Sequence, residues 1–206
     1  MFNSAAEIDI ISELGKIDTD TQAGDIFRQY MDDTHLSRIS KITQPQALIR
    51  IANAIAICRP KSVYVNTGSP EDKAFIRQLS LDKKEESPLA IGGHTIHFDL
   101  AMEQGRIVDR TFYIANPKDH ISSLANRMDR PAALEDVKSN LTDIMNDKLM
   151  IVGFYMRGPV GSPLSNPALE ITSSAYVAHS AELLYRNAFD AFYEEGEKLG
   201  HFFTNL

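Results

Sequence analysis

The histidines and acids near the middle of the chain are the first residues whose types suggest chemistry. His94 and His97 are three residues apart, and Asp99 and Glu103 follow closely. Imidazole and carboxylate groups are common metal ligands. Alternation along a strand would place the two histidines on opposite faces, and the group lacks a diagnostic ligand spacing. A metal-dependent enzyme using His94, His97 and Asp99 is therefore one hypothesis for function, without a motif to support it.

The turn from Thr67 to Asp72 could bind an anion, because a glycine turn leading into a helix exposes amide donors. The sequence lacks the Gly-x4-Gly-Lys-Ser/Thr frame of a phosphate-binding loop. Glu71 and Asp72 would also repel a phosphate. Ser69 and Pro70 suit the N-cap and the first helical position. The turn is thus predicted to be a capped helix start.

The stretch from Lys148 to Phe192 has the most distinctive pattern. An apolar run, Leu149–Met156, predicts one buried strand and is too short to cross a membrane. The loop Arg157–Pro167 contains three prolines and two glycines, which predicts an ordered connection. A short strand, Ala168–Thr172, and a long helix opening at Ser173-Ser174 follow. The helix is predicted to bury one stripe in the core, formed by Tyr176, Val177, Ser180, Leu183, Leu184, Ala188, Phe192 and Tyr193.

The order of these motifs resembles the GTP-dependent phosphoenolpyruvate carboxykinases. In that family an apolar strand ends in a Phe-Ser-Met-Gly-Pro-like turn, followed by Gly-Ser-Pro-Leu, Glu-Leu-Thr and Tyr-Val before a helix. The counterparts in this sequence are Phe154, Met156, Gly158-Pro159, Gly161-Ser162-Pro163-Leu164, Glu170-Ile171-Thr172 and Tyr176-Val177. Arg157 is an extra residue in the turn. The resemblance covers roughly residues 60 to 185.

A second region of resemblance singles out an arginine. The family has a segment like Asp-Pro-Arg-Asp-Val-Ala-Arg before Ile-Glu-Ser-Lys-Thr and a strand, and its last arginine binds the substrate carboxylate. The matching positions are Asp99, Arg106-Ile107, Arg110-Thr111 and Phe112–Ile114. The resemblance implies that Arg106 contacts oxaloacetate or phosphoenolpyruvate, since a guanidinium can hold a carboxylate through two hydrogen bonds. The alternative is an ordinary surface arginine.

The resemblance also implies what the complete enzyme would do. It would convert oxaloacetate and GTP to phosphoenolpyruvate, CO2 and GDP in gluconeogenesis, with Mn2+ or Mg2+ as the metal. In the family, the residues for GTP and metal lie downstream of the helix matched here, in a C-terminal domain absent from this chain. No Gly-Lys-Ser or Gly-Lys-Thr occurs in the 206 residues. The chain alone is therefore expected to hold no cofactor and to be inactive. The alternative is a non-catalytic binding or assembly module with the same fold.

The remaining pattern predicts an α/β fold, with a mixed central sheet flanked by helices and an α-helical N-terminal segment. The predicted division is a helical segment at residues 1–43 and the carboxykinase-like domain at residues 44–206. Further predicted elements are N-caps within Asp18–Thr21, a buried helix from Pro45 to Arg59-Pro60, a strand Ser62–Asn66, a solvated loop Asp82–Glu86, and helices Ile121–Met128 and Ala133–Met145.

Composition restricts the partners. The net charge of −7 and pI near 5.3 argue against broad binding to nucleic acid or anionic membranes. The single cysteine, Cys58, lies in an apolar run and is predicted to be a core residue in a reducing compartment. The first residues lack the pattern of a signal peptide, and no apolar run approaches eighteen residues. A cytoplasmic protein without a membrane partner is expected.

Overall fold

The computed structural model describes residues 10–99, 109 and 111–206. Within them the helices are α1 Ile10–Gly15, α2 Asp20–Tyr30, α3 Asp33–Ile39, α4 Pro45–Cys58, α5 Pro70–Asp82, α6 Arg130–Leu141, α7 Ala175–Leu184 and α8 Phe189–Glu194. The strands are β1 Ser62–Asn66, β2 Ser87–Pro88, β3 Thr95–Ile96, β4 Phe112–Ile114, β5 Asn126–Met128, β6 Leu149–Arg157, β7 Asn166–Thr172, β8 Arg186–Asn187 and β9 Phe203–Asn205. A short 3-10 helix, Gly196–Leu199, precedes β9.

Local sequence signals fix several helix ends. The Thr19 side chain forms a capping box with Gln22 at the start of α2. The Ser69 hydroxyl accepts a hydrogen bond from the Asp72 amide, with Pro70 in the first turn of α5. Arg59 ends α4 in a left-handed conformation, at φ 47°. These ends confirm the predicted caps and the predicted limits of the buried helix.

The central sheet is mixed and open. Its strands follow the order β1-β6-β7-β9, with β1 parallel to β6, β6 antiparallel to β7, and β7 parallel to β9. Strand β1 pairs only with the first half of β6, from Leu149 to Gly153. The short strand β8 continues along the same edge and pairs with Tyr155 and Met156. Two smaller sheets, β2–β3 and β4–β5, lie outside this main sheet.

Helices cover both faces of the main sheet, as the period-2 alternation of its strands requires. On one face, α4 contributes Ile51 and Ile55 to a buried cluster that includes Met150 and Val152 of β6. On the other face, Ile151 packs with Ile76 of α5 and Ala178 of α7. The predicted α/β class with a mixed, helix-flanked sheet is therefore confirmed.

The N-terminal helices pack on this domain. Helices α1 and α2 contact α4, and the buried Asn53 side chain exchanges two 2.8 Å hydrogen bonds with the backbone of Ile17. From α3, the Arg38 guanidinium donates to the Val65 carbonyl of β1 at 2.8 Å. The predicted division at residues 43 and 44 stays a prediction, because these contacts do not define separate folding units.

Two helix predictions in the middle of the chain need correction. The stretch predicted as a helix from Ile121 to Met128 instead forms turns and the strand β5, because Asn126–Met128 pairs in parallel with β4. The helix predicted from Ala133 to Met145 begins at Arg130 and ends at Leu141. Asp129 caps this helix by accepting a hydrogen bond from the Ala132 amide. The helix therefore starts three residues earlier than predicted.

The long helix predicted after Ser173 is also wrong in part. Helix α7 starts as expected, with Ser174 as its N-cap, but it ends at Leu184. Arg186 and Asn187 then form β8 instead of continuing the helix. The physical reason is that β1 leaves the second half of β6 without a neighbour on that edge, and β8 supplies the missing backbone hydrogen bonds.

None of the helices in residues 10–99, 109 and 111–206 combines the length and the hydropathy needed to cross a bilayer.

Candidate functional site

Arg106, the predicted substrate contact, lies outside the described residues, as do Glu103 and Arg110. The candidate site is therefore described from the strand ends and loops of the main sheet that lie within the described residues. Three polar networks and one proline-rich loop occupy this region. Each network joins residues from different segments of the chain.

The first network closes the turn after β1. The Asp72 carboxylate is 1% exposed and accepts hydrogen bonds from the Thr67 amide (2.8 Å), the Thr67 hydroxyl (2.6 Å) and the Tyr64 hydroxyl (2.6 Å). The Arg38 guanidinium adds a fourth hydrogen bond at 2.9 Å. The Asp72 carboxylate thus occupies the Thr67 amide, the donor that a bound anion at this turn would need. The predicted capped helix start at Ser69 is confirmed.

Burial by itself would raise the pKa of Asp72. The hydrogen bonds from Thr67 and Tyr64 and the charge of Arg38 outweigh it and hold that pKa below its ordinary value. Burial also raises the pKa of the Tyr64 hydroxyl to about 12, so this group stays a donor at neutral pH. The turn is therefore held by an ionised carboxylate with neutral and cationic donors.

The second network joins the loop after α5 to the start of α7. The Glu85 carboxylate accepts from the Ser174 hydroxyl at 2.8 Å and from the Tyr176 amide at 2.7 Å. An acidic group at a helix N-terminus satisfies free amides there and interacts favourably with the helix dipole. Lys83 pairs with the other Glu85 oxygen at 3.1 Å. The glutamate therefore fixes the start of α7 to the preceding loop.

Glu86 extends this connection into the interior. Its side chain is buried and accepts from the Thr95 hydroxyl at 2.6 Å, while Nδ1 of His179 lies 2.7 Å from its second oxygen. Burial opposes ionisation, but the hydrogen bonds with Thr95 and His179 lower the pKa of Glu86. The prediction of a solvated loop at Asp82–Glu86 holds for the exposed Lys83 and Lys84 but is wrong for the buried Glu86. The physical reason is that α7, distant in sequence, supplies partners for both glutamates.

His97 belongs to the same region. Its ring stacks on Tyr176 with centroids 3.6 Å apart, and its Nε2 lies 3.1 Å from the Asp99 carboxylate. His94 is exposed and contacts the Gly92 carbonyl. Within the described part of the chain, no three His, Cys, Asp or Glu side chains are grouped so that they could hold a metal ion. The metal hypothesis for His94, His97 and Asp99 gains no support from this geometry.

The third network lies where the parallel strands β1 and β6 end. Asn66 Nδ2 donates to the Glu182 carboxylate at 2.6 Å, and the Tyr155 hydroxyl donates to the same oxygen at 2.9 Å. Lys73 Nζ lies 3.5 Å from the other oxygen. Burial and the Glu182 charge raise the pKa of Tyr155. A Cβ on Gly153 would lie 2.5 Å from the Tyr155 ring, so only glycine fits beside this tyrosine.

Sequence reasoning did not predict the Glu85, Glu86 and Glu182 networks. No spacing signal could have identified them, because each acid has at least one partner about 90 or more residues away. Cys58, by contrast, is a buried core residue as predicted. Burial raises the pKa of its thiol to about 11, so it stays protonated at neutral pH and is a poor nucleophile.

The proline-rich loop follows β6. Arg157, the extra residue relative to the carboxykinase pattern, is the last residue of β6 and pairs in register with Asn166. Its guanidinium lies over the Tyr185 ring, 5.1 Å from the centroid. Gly158 and Gly161 follow with φ of 100° and 77°. The extra residue thus lengthens strand β6 by one paired position, and the turn begins at Gly158, which has a positive φ.

Gly161→Val should destabilise the domain by about 1–2 kcal/mol, because a β-branched residue is strained at positive φ. A Cβ at Gly161 would meet no heavy atom within 4 Å, so the effect comes from the backbone alone. Gly92→Val is the matched control, since Gly92 is equally open and lacks a positive φ. Urea unfolding measures both free energies, and equal values for the two variants would contradict the strain.

The described fold and site define a class of protein: an α/β domain whose strand-end loops are fixed by buried acid-centred networks. Comparisons with known proteins give the family. A profile described as phosphoenolpyruvate carboxykinase N-terminal domain matches residues 50–206. The chain therefore belongs to the phosphoenolpyruvate carboxykinase N-terminal domain family.

Individual relatives agree with this assignment. The chain is 34% identical over 168 residues to a protein of Saccharolobus solfataricus named phosphoenolpyruvate carboxykinase [GTP]. This alignment covers 82% of the chain and 27% of the relative. It is 41% identical over 142 residues to the protein of that name from Sulfurisphaera tokodaii, covering 69% of this chain and 23% of the relative. The protein of the same name from Thermococcus sibiricus is 35% identical to the chain over 176 residues, an alignment that covers 85% of the chain and 28% of the relative. The chain thus spans about a quarter of the length of these curated relatives.

Proposed function

We propose that this chain is the substrate-side domain of a GTP-dependent phosphoenolpyruvate carboxykinase, which converts oxaloacetate and GTP to phosphoenolpyruvate, CO2 and GDP. The observation that supports the proposal most strongly is the family match over residues 50–206, together with relatives that carry this name. We also propose that the enzyme acts in the cytoplasm, in gluconeogenesis. The domain would begin at residue 44, after a helical segment at residues 1–43.

Arg106 is the residue that we propose for substrate contact. The basis is its position in the family pattern, between Asp99 and the strand β4. The role is to hold one carboxylate of oxaloacetate, or the carboxylate of phosphoenolpyruvate, through two charge-assisted hydrogen bonds. On the N-terminal side, the His97–Tyr176 stack attaches the chain leading to Arg106 to α7. Thr95 donates to Glu86, which in turn contacts His179 of α7.

GTP and Mn2+ or Mg2+ would bind to the rest of the enzyme. Phosphoryl transfer needs a phosphate-binding loop, a lysine and a divalent metal that neutralise charge. The relatives' names specify GTP, and about three quarters of their length lies outside the match. This part, the C-terminal domain, is the partner that would complete the reaction centre. No nucleic-acid or membrane partner is part of the proposal.

A non-catalytic binding or assembly module is the second candidate. The observation that fits it is that the chain's own Asp72 carboxylate takes the Thr67 amide at the strand–turn–helix site, where an anion would otherwise bind. The genomic reading frame around the codon for Leu206 separates the two candidates. A frame that continues into a Gly-Lys-Ser or Gly-Lys-Thr loop would support the enzyme, whereas a stop codon would support the module.

The isolated 206-residue chain should show no carboxykinase turnover with GTP and Mn2+. It should also bind GTP no better than expected for an acidic protein of net charge −7. A coupled assay for oxaloacetate consumption and isothermal titration calorimetry measure the two properties. Adding the remaining polypeptide of the Saccharolobus solfataricus relative should restore turnover.

Two results would contradict this proposal. Stoichiometric GTP binding or measurable turnover by the isolated chain would show that the domain has its own reaction centre. A complex of the two polypeptides that assembles and binds GTP but never turns over would favour the non-catalytic module. The control is the corresponding N-terminal quarter of the relative, recombined with its own remaining polypeptide and assayed in the same way.

A further inference from the structure

A groove lies between α7 and the end of the main sheet. Its volume is about 280 Å³. Glu170 of β7 and Asn205 of β9 line the strand side, and Asn205 Nδ2 donates to the Glu170 carboxylate at 2.8 Å. Val177 and Leu184 line the helix side. The groove therefore has a polar, internally paired floor and an apolar wall.

The apolar wall of the groove continues onto an exposed surface of α7. The sequence pattern predicts that Leu183 and Leu184 face the core, but they are 74% and 71% exposed. The residues that α7 does bury are small or polar: Ala175, Ala178, His179 and Ala181. The prediction of a core-facing stripe is thus wrong for these leucines. Two adjacent exposed leucines beside a groove are unusual on a solvated helix and are typical of an interaction surface.

The strand side of the groove ends at an unpaired edge. Within the described residues β9 is the last strand in the order β1-β6-β7-β9, so one side of its backbone has no strand neighbour. Phe203 lies on the same face of β9 as Asn205, by alternation, and its ring is exposed. An open edge beside an apolar groove can accept an extended segment that adds a strand and inserts side chains.

We propose that this surface, formed by the outer edge of β9, the groove and the exposed leucines of α7, is the docking site for the polypeptide that follows the matched domain in longer carboxykinases. The occupant is an extended segment that pairs with β9 and places apolar side chains against Val177 and Leu184. This inference rests on the proposed function and deepens it by naming the surface that the rest of the enzyme would use.

The family match favours this occupant over a separate partner. The match reaches residue 206 and so includes β9, and in relatives about four times as long the polypeptide continues beyond the matched domain. A following segment would leave the domain beside the groove. Its high effective concentration there would favour docking without a large intrinsic affinity.

The mixed character of the groove also fits an extended segment. Glu170 is half-buried, and burial raises its pKa although Asn205 and Arg157 oppose that shift. A neighbouring strand could donate further backbone amides toward this edge, while the leucines would lose their exposure to water. Covering two leucines removes apolar surface at about 25 cal/mol per Å2, enough to stabilise docking measurably.

Leu184→Lys tests the surface, with Leu124→Lys as the matched control. Leu184 is near the C-terminus of α7, where a lysine suits the helix dipole, so the variant should fold normally. Leu124 is 90% exposed and lies outside the groove. Circular dichroism and thermal unfolding of each isolated chain verify the fold. Binding to the remaining polypeptide of the Saccharolobus solfataricus relative is then measured by calorimetry and sedimentation.

We expect Leu184→Lys to weaken this association by about tenfold or more, because a leucine that the docked segment would cover is replaced by a charge. Leu124→Lys should change it less than about twofold. Equal binding by both variants would overturn the proposal. So would self-association of the 206-residue chain that Leu184→Lys abolishes, because the surface would then bind a second copy. Restored turnover with equal binding would reject the surface while leaving the proposed function intact.

A covalent fusion provides a second measurement if the separate polypeptides do not associate. In a fusion of the 206-residue chain to the relative's remaining polypeptide, Leu184→Lys should lower the melting temperature by several degrees more than Leu124→Lys. Identical melting temperatures for the two variants would overturn the docking site.

Discussion

Asp72→Ala should destabilise the domain by about 3–5 kcal/mol at pH 7, the cost of removing one partner from a buried ion pair. The carboxylate accepts four hydrogen bonds, from the amide and hydroxyl of Thr67 and from the side chains of Tyr64 and Arg38. Alanine leaves the Arg38 charge without its carboxylate and the Thr67 amide without an acceptor. Urea unfolding followed by circular dichroism gives the free energy.

Glu71→Ala is the control for this variant. Both acids lie in the first turn of α5, but Glu71 is exposed. Its removal should cost no more than about 1 kcal/mol, through the helix dipole. Similar losses for the two variants would mean that the dipole, and not the buried network, stabilises the turn. Asp72→Asn keeps the shape of the side chain and isolates the contribution of its charge.

The effect of Asp72→Ala should depend on pH in a direction that follows from its lowered pKa. A carboxyl whose pKa is lower in the folded state stabilises the fold above its unfolded pKa of about 3.9. That contribution is lost as the pH falls through the folded-state pKa. The difference in unfolding free energy between wild type and Asp72→Ala should therefore be full at pH 7 and shrink below about pH 4. A constant difference across this range would contradict an ionised Asp72.

Arg106→Ala should reduce kcat/KM for oxaloacetate and phosphoenolpyruvate by about 30-fold to a few thousand-fold in the chain recombined with the remaining carboxykinase polypeptide. This range corresponds to about 2–5 kcal/mol for truncating one partner of a desolvated charge pair. GTP affinity should stay nearly unchanged, because the nucleotide is proposed to bind the other domain. Steady-state kinetics with each substrate varied in turn give the three values.

Arg28→Ala is the control for this prediction, since Arg28 is an exposed arginine of α2 with a surface ion pair to Asp25. It should leave kcat/KM unchanged for every substrate. Equal losses for oxaloacetate and GTP in Arg106→Ala would indicate a folding defect. No loss for any substrate would return Arg106 to the alternative of a surface arginine. In the isolated domain, which offers only part of the pocket, dicarboxylate binding should be millimolar or weaker, about −4 kcal/mol at best.

The sequence by itself determined the features that depend on neighbouring residues. Thr19, Ser69 and Pro45 cap or start their helices as predicted, because capping needs only a side chain and the amides two or three residues away. The apolar run Leu149–Met156 forms the central strand β6, since its length and β-branched content suit a buried strand. The motif order around Gly161–Leu164 was enough to suggest the family.

Only the tertiary structure decided which acids are buried and which apolar residues are not. Glu86 looks like part of a solvated charge run until α7 places His179 beside it, 93 residues further along the chain. Leu183 and Leu184 look like core residues, but α7 buries Ala175, Ala178, His179 and Ala181 against the domain and leaves both leucines exposed. Helix α7 ends at Leu184 because the free edge of β6 offers backbone hydrogen bonds to β8. Burial and strand pairing depend on contacts between distant segments, and local propensity and period contain no information about those contacts.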